Sequence, residues 1–360
     1  LAISISIAKT MVLQSQGLEP KSRNLKKKVI TLFGKISLKK DHVLCKGTRK
    51  FAITRHLQTI LCLLGQSTVF EEASKLLKEL LGVQISGMQI QRVSEYYGSL
   101  TQKAITRNIE TCIPKLKEVS KDDSIYLMMD GSMIPTREDN WKEMKLARIF
   151  NERKLLEMSK SRSEIVESVY VSHLGSVDTF FPKLERHLCD YEKKVIIGDG
   201  AKWIWNWAES NYPNATQILD FYHAKEKLVI LSNQYFGDDT DRKKWVDEQS
   251  EKLLEDEVEQ VIQIIKKMRC KNGTAKVLKE KTLQYFLEHE DRMLYKTYRS
   301  KGLLIGSGPI EAAHRSVLQT RMKRSGQKWS IKGANAIANL RCLHKSNAWN
   351  ILENFVKAAA

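Results

Sequence analysis

The stretch KKVIIGDGAKWIWNWAESNYPNATQILDFYHAKEK, residues 193–227, decides how this chain is expected to fold. Its apolar run at residues 195–197 is typical of a strand buried on both faces of a parallel sheet. That run ends in the triplet GDG, with Asp199 at its centre, and a second apolar run, residues 216–219, ends at Asp220. Because α/β sheets bind ligands outside the carboxyl ends of their strands, two such acids predict a site at that edge.

Asp199 also has a simpler interpretation, which the sequence leaves open. Aspartate is favoured at the start of a helix, where its side chain accepts a hydrogen bond from the backbone. A helix carrying Trp203, Trp205 and Trp207 is predicted directly after Asp199, so this acid could serve only as its cap. The three tryptophans are interpreted as packing residues rather than as surfaces on which bases stack.

The charge of the chain is strongly basic and unevenly placed. The 360 residues carry a net charge of +18. Residues 1–55 hold 13 Lys and Arg against 2 Asp and Glu, and residues 301–345 hold 9 against 1, so the remainder is close to neutral. Two basic ends around a neutral middle indicate contacts with a polyanion, and nucleic acid is the polyanion that this distribution favours.

Cysteine spacing and hydropathy exclude several classes of protein. The 6 cysteines include no Cys-x-x-Cys pair, which argues against a disulfide framework or a zinc ribbon and fits a reducing cytosol. The apolar stretches are too short to span a membrane, and no signal peptide is evident. A chain that begins at Leu1 rather than at a methionine suggests a fragment.

Residues 1–55 are predicted to form a basic N-terminal arm, with a short strand at residues 29–33. A run of like charge is usually a solvated segment. The sharper hypothesis is that the arm contacts DNA through its lysine run, Lys26, Lys27 and Lys28.

Residues 56–120 are predicted to be helical and to bind DNA. Two capping boxes, which begin at Thr68 and Ser86, precede helices predicted at residues 70–81 and 88–97. A helix, a short turn and a capped helix make the layout of a helix-turn-helix. Many helical hairpins share this layout without contacting DNA, so a plain hairpin stays the alternative.

Residues 121–230 change to alternating strands and helices and predict the core of the protein. A first strand ends in Asp130, two further strands and a helix follow, and then come the strands that end in Asp199 and Asp220. This order is that of a ribonuclease-H-like α/β sheet, in which the first and fourth strands lie side by side. Asp130 and Asp199 are therefore expected to meet. The intervening elements are predicted at residues 142–151, 168–172 and 178–190.

Residues 231–303 predict an all-helical insertion that interrupts this core. Their charge is balanced and their apolar residues recur at helical spacing, with one long helix predicted at residues 247–267. The many carboxylates are typical of a solvated face, so no catalytic residue is expected in this segment.

Residues 304–360 are predicted to return to the core and to carry a third acid, Glu311. A glycine-rich loop leads to a helix with Pro309 in its first turn. Glu311 is the only acid in residues 301–345, so it either complements the helix N-terminus or holds a metal among groups that bind phosphates. The neighbouring residues predicted to bind DNA are Arg315, Arg321, Lys323, Arg324, Lys328 and, as a stacking face, Trp329.

Three motifs, taken in this order, resemble those of the transposases of the Kra/Lre group of bacterial insertion sequences. They are DGSMIP, then GDGAKWIWNW with the later ILDFYH, then GSGPIEAAHRSVLQTRMKRSGQKWS. The resemblance covers most of the chain from residue 68 onward. It departs from the group's pattern near the start, where a Cys-x-x-Cys element is expected and only Cys45 is present.

The resemblance implies a DDE transposase whose triad is Asp130, Asp199 and Glu311. Asp220 and His223 match the (C/D)-x-x-H motif that several transposase superfamilies carry after the second acid. On this interpretation His223 orients a phosphate or a carboxylate and Asp220 supports it. The alternative is that they are simply two polar residues that end a strand.

The implied chemistry is cleavage of a phosphodiester and transfer of the freed strand, with two Mg²⁺ ions, for which Mn²⁺ can substitute. Asp130 is expected to bridge both ions, while Asp199 and Glu311 each hold one. The implied partners are duplex DNA, as element ends and as target, and one or more further copies of the chain. The protein is expected in the bacterial cytoplasm, associated with the nucleoid, and no membrane partner is expected.

Two other classes stay open. A ribonuclease-H-like nuclease such as a junction resolvase would use the same acids, although the helical insertion and the basic C-terminal segment count against it. A non-catalytic DNA-binding relic of a transposase is the other alternative. A broken triad would mark a relic, and here the triad is intact.

Overall fold

The computed structural model describes residues 26–40, 42–45, 48, 50–159, 162–188, 190–270 and 272–358. The chain divides into two compact units, of which the first combines Leu1–Cys112 with Lys332–Ala360 and the second is Ile113–Ile331. The first 25 residues of the predicted basic arm lie outside the described residues. The segment predicted as 304–360 is shared between the two units, because its last helices belong with the N-terminal ones.

The helices and strands are described unit by unit, in chain order. The first unit opens with β1 (Lys26–Thr31), β2 (Gly34–Lys39), α1 (Arg55–Ser67), α2 (Phe70–Leu81) and α3 (Gly87–Thr106). The second unit contains β3 (Ile125–Pro135), β4 (Trp141–Asn151), β5 (Leu155–Ser159), β6 (Arg162–Ile165), β7 (Val169–Leu174), α4 (Val177–Glu185), β8 (Lys194–Gly198), α5 (Lys202–Asn211), β9 (Thr216–Leu219), α6 (Phe221–Tyr235), α7 (Asp239–Leu254), α8 (Val258–Lys267), α9 (Gly273–Glu288), α10 (Tyr295–Ser300) and α11 (Gly308–Ala313).

After α11 the chain continues through a π-helical segment, His314–Gln319, and a last helical turn, Thr320–Met322. The chain then forms α12 (Ile331–Lys345) and α13 (Trp349–Ala358), which complete the first unit. Among the described residues, no helix is both long enough and apolar enough to cross a membrane.

The predicted pair of helices in the first unit is confirmed, with one difference at the caps. α2 ends at Gly82, whose φ of 65° suits a glycine. At the start of α3 the Ser86 side chain accepts from the backbone N–H of Gln89, as predicted. Thr68 does not cap α2, because its hydroxyl bonds the side chain of Glu72 instead. The layout of a helix, a turn and a capped helix is present, and its contact with DNA stays a prediction.

The central sheet of the second unit has the strand order β7-β4-β3-β8-β9. β3 pairs antiparallel with β4, β4 pairs antiparallel with β7, and β3, β8 and β9 are parallel neighbours. Residues 125–129 are all buried, as the apolar run indicates. The predicted adjacency of the strands that carry Asp130 and Asp199 is therefore confirmed.

One sequence-based prediction about local structure is wrong, and one element has no counterpart in the sequence analysis. The hairpin of β5 and β6 was not foreseen. The long helix predicted at residues 247–267 is broken between α7 and α8, where Asp256 adopts a left-handed conformation with a φ of 64°. The Asp256 carboxylate accepts hydrogen bonds from the backbone N–H groups of Lys296 (2.7 Å) and Thr297 (3.1 Å). The break thus places an acid at the start of α10.

The tryptophans of α5 pack as predicted. Trp205 and Trp207 are buried, and the Trp207 ring is stacked on Phe181 with 4.7 Å between the ring centroids. Trp203 is half-buried and lies edge-on to Phe180. These contacts pack α5 against α4.

Candidate active site

Asp130 and Asp199 are carried by neighbouring parallel strands. β3 and β8 are paired as far as Met128 and Ile197, so the same register, continued two residues further, sets Asp130 opposite Asp199. The charge of Asp199 is one of the influences that raise the pKa of Asp130, which agrees with this placement. β8 and β9 continue the row, because their register sets Asp199 opposite Asp220.

The Asp130 carboxylate is half-buried and lies near two other acids. Burial raises its pKa to about 6, and the charges of Asp199 and Glu143 act in the same direction. A hydrogen bond from the backbone N–H of Gly131 (2.6 Å) and the charge of His223 oppose them. Glu143, which also pairs with Lys145 Nζ (2.6 Å), can approach because Gly131 has no side chain; a Cβ there would lie 2.2 Å from Glu143 Oε1. A carboxyl whose charged form is disfavoured by burial and by neighbouring acids is stabilised in that form by a bound cation.

His314 also faces Asp130, and sequence reasoning missed it. Its Nε2 lies 3.4 Å from Asp130 Oδ2, and neither ring nitrogen makes a hydrogen bond of good geometry with the described residues. Burial lowers the pKa of His314 to about 4, so the ring is neutral at neutral pH. His314 begins the π-helical segment, and such segments often occur at functional sites. Its position three residues after Glu311, on the same helix face, was the available signal.

Asp199 is not the helix cap that the sequence left open, because the capping position before α5 is Ala201 and the helix has no side-chain cap. Asp199 Oδ1 instead accepts from the backbone N–H of Ala201 (3.0 Å), and its main-chain carbonyl accepts from Trp205 Nε1 (2.7 Å). The first contact occupies one carboxylate oxygen, so it is compatible with metal binding. Both bonds fix the turn that presents the acid.

The helical insertion reaches this turn through one residue, Tyr285, and the expectation that the insertion carries no catalytic residue stays a prediction. A Cβ at Gly200 would lie 2.1 Å from Cε2 of Tyr285 on α9, so the second glycine of the GDG triplet is required by the close approach of that ring. The Tyr285 hydroxyl is buried without a hydrogen bond among the described residues. Burial raises its pKa, and the charges of Asp199 and Asp220 add to the effect.

The Asp220 side chain is fully buried, and both of its carboxylate oxygens accept hydrogen bonds from the protein. Its Oδ1 accepts from the backbone N–H of Tyr222 (2.6 Å) and of His223 (3.4 Å). Its Oδ2 accepts from His223 Nδ1 (3.1 Å), from the backbone N–H of Ser307 (2.9 Å) and from the Ser307 hydroxyl. Burial acts to raise the pKa of Asp220, but these bonds outweigh it and lower the pKa. A carboxylate offers about four lone-pair sites, so Asp220 is saturated.

His223 is a cation held among acids. Its hydrogen bond to Asp220 and the charges of Asp220 and Asp199 raise its pKa to about 9, although burial opposes them. The ring is therefore protonated at neutral pH. Nδ1 is turned toward Asp220, and the side chain keeps a third of its surface exposed.

Glu311 joins this group from the first turn of α11. The Ser307 bonds to Asp220 fix the glycine-rich loop before it, and the Pro309 carbonyl accepts from Arg148 Nη1 (2.9 Å). Among the described residues, the group of potential metal ligands whose atoms all lie within 4.8 Å of one another is Asp220, His223 and Glu311. The predicted triad of Asp130, Asp199 and Glu311 does not form such a group.

The residues predicted to bind DNA after Glu311 separate by exposure. Arg315, Lys323, Arg324 and Lys328 are exposed. Arg321 is fully buried, and Trp329 is 6% exposed with its Nε1 donating to the Met322 carbonyl (3.1 Å). The guanidinium of Arg321 lies 4.9 Å from the centroid of the Trp329 ring. The prediction that these two contact DNA does not fit their burial, because neither presents a surface.

The Asp220–His223 pair predicts how the free energy of unfolding depends on pH. The pKa of His223 is raised from 6.5 to about 9 in the folded protein, so the stabilisation by this pair is complete below pH 6.5 and is lost as the pH rises through 9. Asp220 has a lowered pKa, so its share is present above pH 3.8 and is lost as the pH falls through that lowered pKa. We expect the free energy of unfolding to decline between pH 6.5 and 9 in metal-free protein.

Asp220→Asn should return the pKa of His223 toward 6.5 and flatten this decline, as measured by NMR titration of the ring and by urea unfolding. The matched control is Asp238→Asn, since Asp238 caps α7 with its side chain and has no histidine partner. A His223 pKa that stays near 9 in Asp220→Asn would contradict the assigned cause.

The fold and the site together define a mixed α/β protein with acids at the carboxyl ends of neighbouring parallel strands. The chain belongs to the uncharacterised protein family UPF0236, whose model matches residues 63–351. No curated protein matches the chain. The Drosophila P element transposase strand transfer complex is similar to it at 12% identity and a TM-score of 0.29, over 87% of this chain and 84% of that chain. At that score the function has to be argued from this chain's own residues.

Proposed function

We propose that this protein is a DDE transposase of the insertion-sequence type, which cleaves element ends and joins the freed strands to target DNA. The motifs that resemble the Kra/Lre group are assembled around one edge of the sheet. The strand order, in which the first strand lies between the second and the fourth, is the order expected for a ribonuclease-H-like core.

One observation carries the proposal, namely the placement of Asp130 and Asp199 on adjacent parallel strands, with Asp130 half-buried. The raised pKa of Asp130, about 6, reflects burial and repulsion that a bound cation would relieve. The donors are hard carboxylate oxygens, which match Mg²⁺ or Mn²⁺ rather than a soft metal. The residues present therefore fit the divalent ions that the resemblance implies.

Asp130 and Asp199 would hold the metal, and Glu311 would complete the ligands from α11. When bound, such ions supply a nucleophilic water at neutral pH and neutralise charge on the leaving oxygen. The protonated His223 ring is placed to donate a hydrogen bond to a phosphate oxygen beside Glu311. Asp220 and Ser307 orient His223 and the Glu311 loop, and the buried Tyr285 hydroxyl offers a further donor near Asp199.

Duplex DNA is the proposed partner, as element end and as target, with two or more copies of the chain bound together because two ends are joined at once. The exposed cations that follow Glu311 lie on the same segment as the third acid. They would contact phosphates close to the scissile bond. A transposase of this kind would act in the bacterial cytoplasm, associated with the DNA.

The experiment that tests the proposal is cleavage of a labelled duplex carrying the element's ends, with Mg²⁺ or EDTA, in the presence of a target plasmid. We expect nicks at the element ends and joined products with Mg²⁺ or Mn²⁺, and neither with EDTA. Cleavage without joining would favour a ribonuclease-H-like nuclease or resolvase. Binding without cleavage under any metal would favour the non-catalytic relic.

A further inference from the structure

The N-terminal hairpin has one face made of lysines. In the register of β1 with β2, Lys26 is opposite Lys39 and Ile30 is opposite Lys35. Residues directly opposite each other point to the same face, and the exposed positions alternate with the covered ones along both strands. The exposed lysines of this face, here called the lysine face, are Lys26, Lys28, Lys35 and Lys39.

The hairpin is fixed to the helices of the first unit. The backbone of Ile30 donates to the Ala52 carbonyl (2.9 Å) and accepts from Thr54 N–H (2.9 Å), immediately before α1 begins. The inner face is closed by Val29 and Ile53, both fully buried. The lysine face therefore has a defined position and is not the loose arm that a charge run usually predicts.

Among the described residues, no acid pairs with the lysine face. Residues 26–40 contain six lysines and no acid, and none of these lysines joins an ion pair among the described residues. Like charges directly opposite one another, as at Lys26 and Lys39, destabilise a pair of strands. A polyanion bound against the lysine face would relieve this repulsion.

The tip of the hairpin is apolar and held outward. Phe33 is 90% exposed. Its backbone N–H donates to Thr31 Oγ1 (3.0 Å), and the Thr31 hydroxyl donates to the Gly34 carbonyl (3.0 Å). Gly34 has a φ of 92°, which only glycine adopts readily. The turn is thus closed by its own hydrogen bonds and presents an aromatic ring to solvent.

We propose that this hairpin is a duplex-DNA-binding ribbon, in which the lysine face contacts phosphates and Phe33 wedges between base pairs. Two-stranded ribbons enter DNA grooves, and apolar side chains inserted between base steps unstack and kink the duplex. The proposal does not rest on the catalytic site, because it concerns binding by a different unit of the chain.

The first test measures how duplex affinity depends on salt concentration. Each phosphate contact contributes about 0.9 to the slope of log K against log salt, so replacing all four lysines of the lysine face by Gln should lower the slope by roughly 3–4. The matched control replaces Lys243, Lys244, Lys266 and Lys267 by Gln, four exposed lysines of the helical insertion. The control carries the same change in net charge, and we expect its slope to stay near that of the unchanged chain.

The second test uses Phe33→Ser and a duplex labelled with 2-aminopurine. Loss of an aromatic wedge should weaken binding by about tenfold or more and abolish the fluorescence rise that reports unstacking, with the salt slope unchanged. Phe33→Tyr should retain both. Because all substituted side chains are exposed, the melting temperature should not fall in any variant, and removing the opposed charges of Lys26 and Lys39 should raise it slightly in the lysine variant.

Equal slopes for the hairpin variant and its control would overturn the proposal. So would loss of binding to anionic phosphatidylserine vesicles together with unchanged binding to DNA, which would indicate a membrane surface. Strand cleavage tests the carboxylates separately. A hairpin variant that binds DNA weakly but retains some metal-dependent nicking supports the hairpin proposal. An unchanged chain that binds DNA fully but does not nick it refutes only the catalytic proposal.

Discussion

Asp199→Asn is expected to slow metal-dependent strand cleavage by about 10²–10³-fold, the loss typical of removing one preorganised electrostatic group, while duplex affinity is unchanged. The asparagine retains the Oδ1 atom that accepts from Ala201 N–H, so the turn before α5 should be kept. It removes the negative charge and replaces the second carboxylate oxygen with an NH2 donor. The substitution therefore separates the two roles that the sequence allows for this acid.

The assay is single-turnover nicking of an end-labelled duplex, with binding measured on the same DNA. Asp178→Asn is the matched control, because Asp178 is an acid in the first turn of α4 and lies outside the site. Asp199→Cys adds a positive readout: a thiolate prefers softer metals, so activity lost with Mg²⁺ should be partly restored by Mn²⁺. Full cleavage by Asp199→Asn would leave Asp199 with only its turn contact to Ala201 and remove it from the proposed triad.

Much of the core could be predicted because buried strands have a recognisable sequence pattern. The apolar runs before Asp130, Asp199 and Asp220 are too short for helices and end in turn residues. They became β3, β8 and β9 in the expected parallel order. Strand adjacency then followed from topology, and with it the meeting of the first two acids.

The sequence could not reveal which residues approach from distant segments. Tyr285 sits in a helix whose pattern is that of a solvated surface, and only its contact with Gly200 shows that it belongs to the site. The same holds for Ser307, whose bonds to Asp220 join positions far apart in the chain. Contacts of this kind depend on how helices dock, which periodicity does not encode.

Burial and exposure of charged residues were also poorly predicted. Arg321 and Trp329 read as part of a basic surface, yet they are buried against each other. The run of three lysines was correctly seen as basic, but the alternation of a strand turns Lys27 away from the face that Lys26 and Lys28 share. Lys35 and Lys39 complete that face only through the pairing of two strands.

Gly98→Ala is expected to have the largest effect on stability. It should destabilise the protein, although a change from glycine to alanine inside a helix usually stabilises. Replacing a glycine inside a helix by alanine normally stabilises by about 0.5–1 kcal/mol. In α3, however, a Cβ at residue 98 would lie 2.3 Å from the carbonyl oxygen of Ala336 on α12. The obstacle is backbone, so no rotamer change can relieve it, and we expect a net loss of about 1–3 kcal/mol.

The contact also holds a buried polar pair together. Asn339 Nδ2 donates to Thr101 Oγ1 (2.6 Å) and to the Gly98 carbonyl (3.2 Å), so pushing α12 away would leave buried groups unsatisfied at further cost. Urea unfolding should show a lower midpoint, and hydrogen exchange of the α12 amides should accelerate. Gly273→Ala is the control, since a Cβ there meets nothing within 4 Å and should be neutral or stabilising. Unchanged α12 protection in Gly98→Ala would mean that the C-terminal helix does not depend on this close approach.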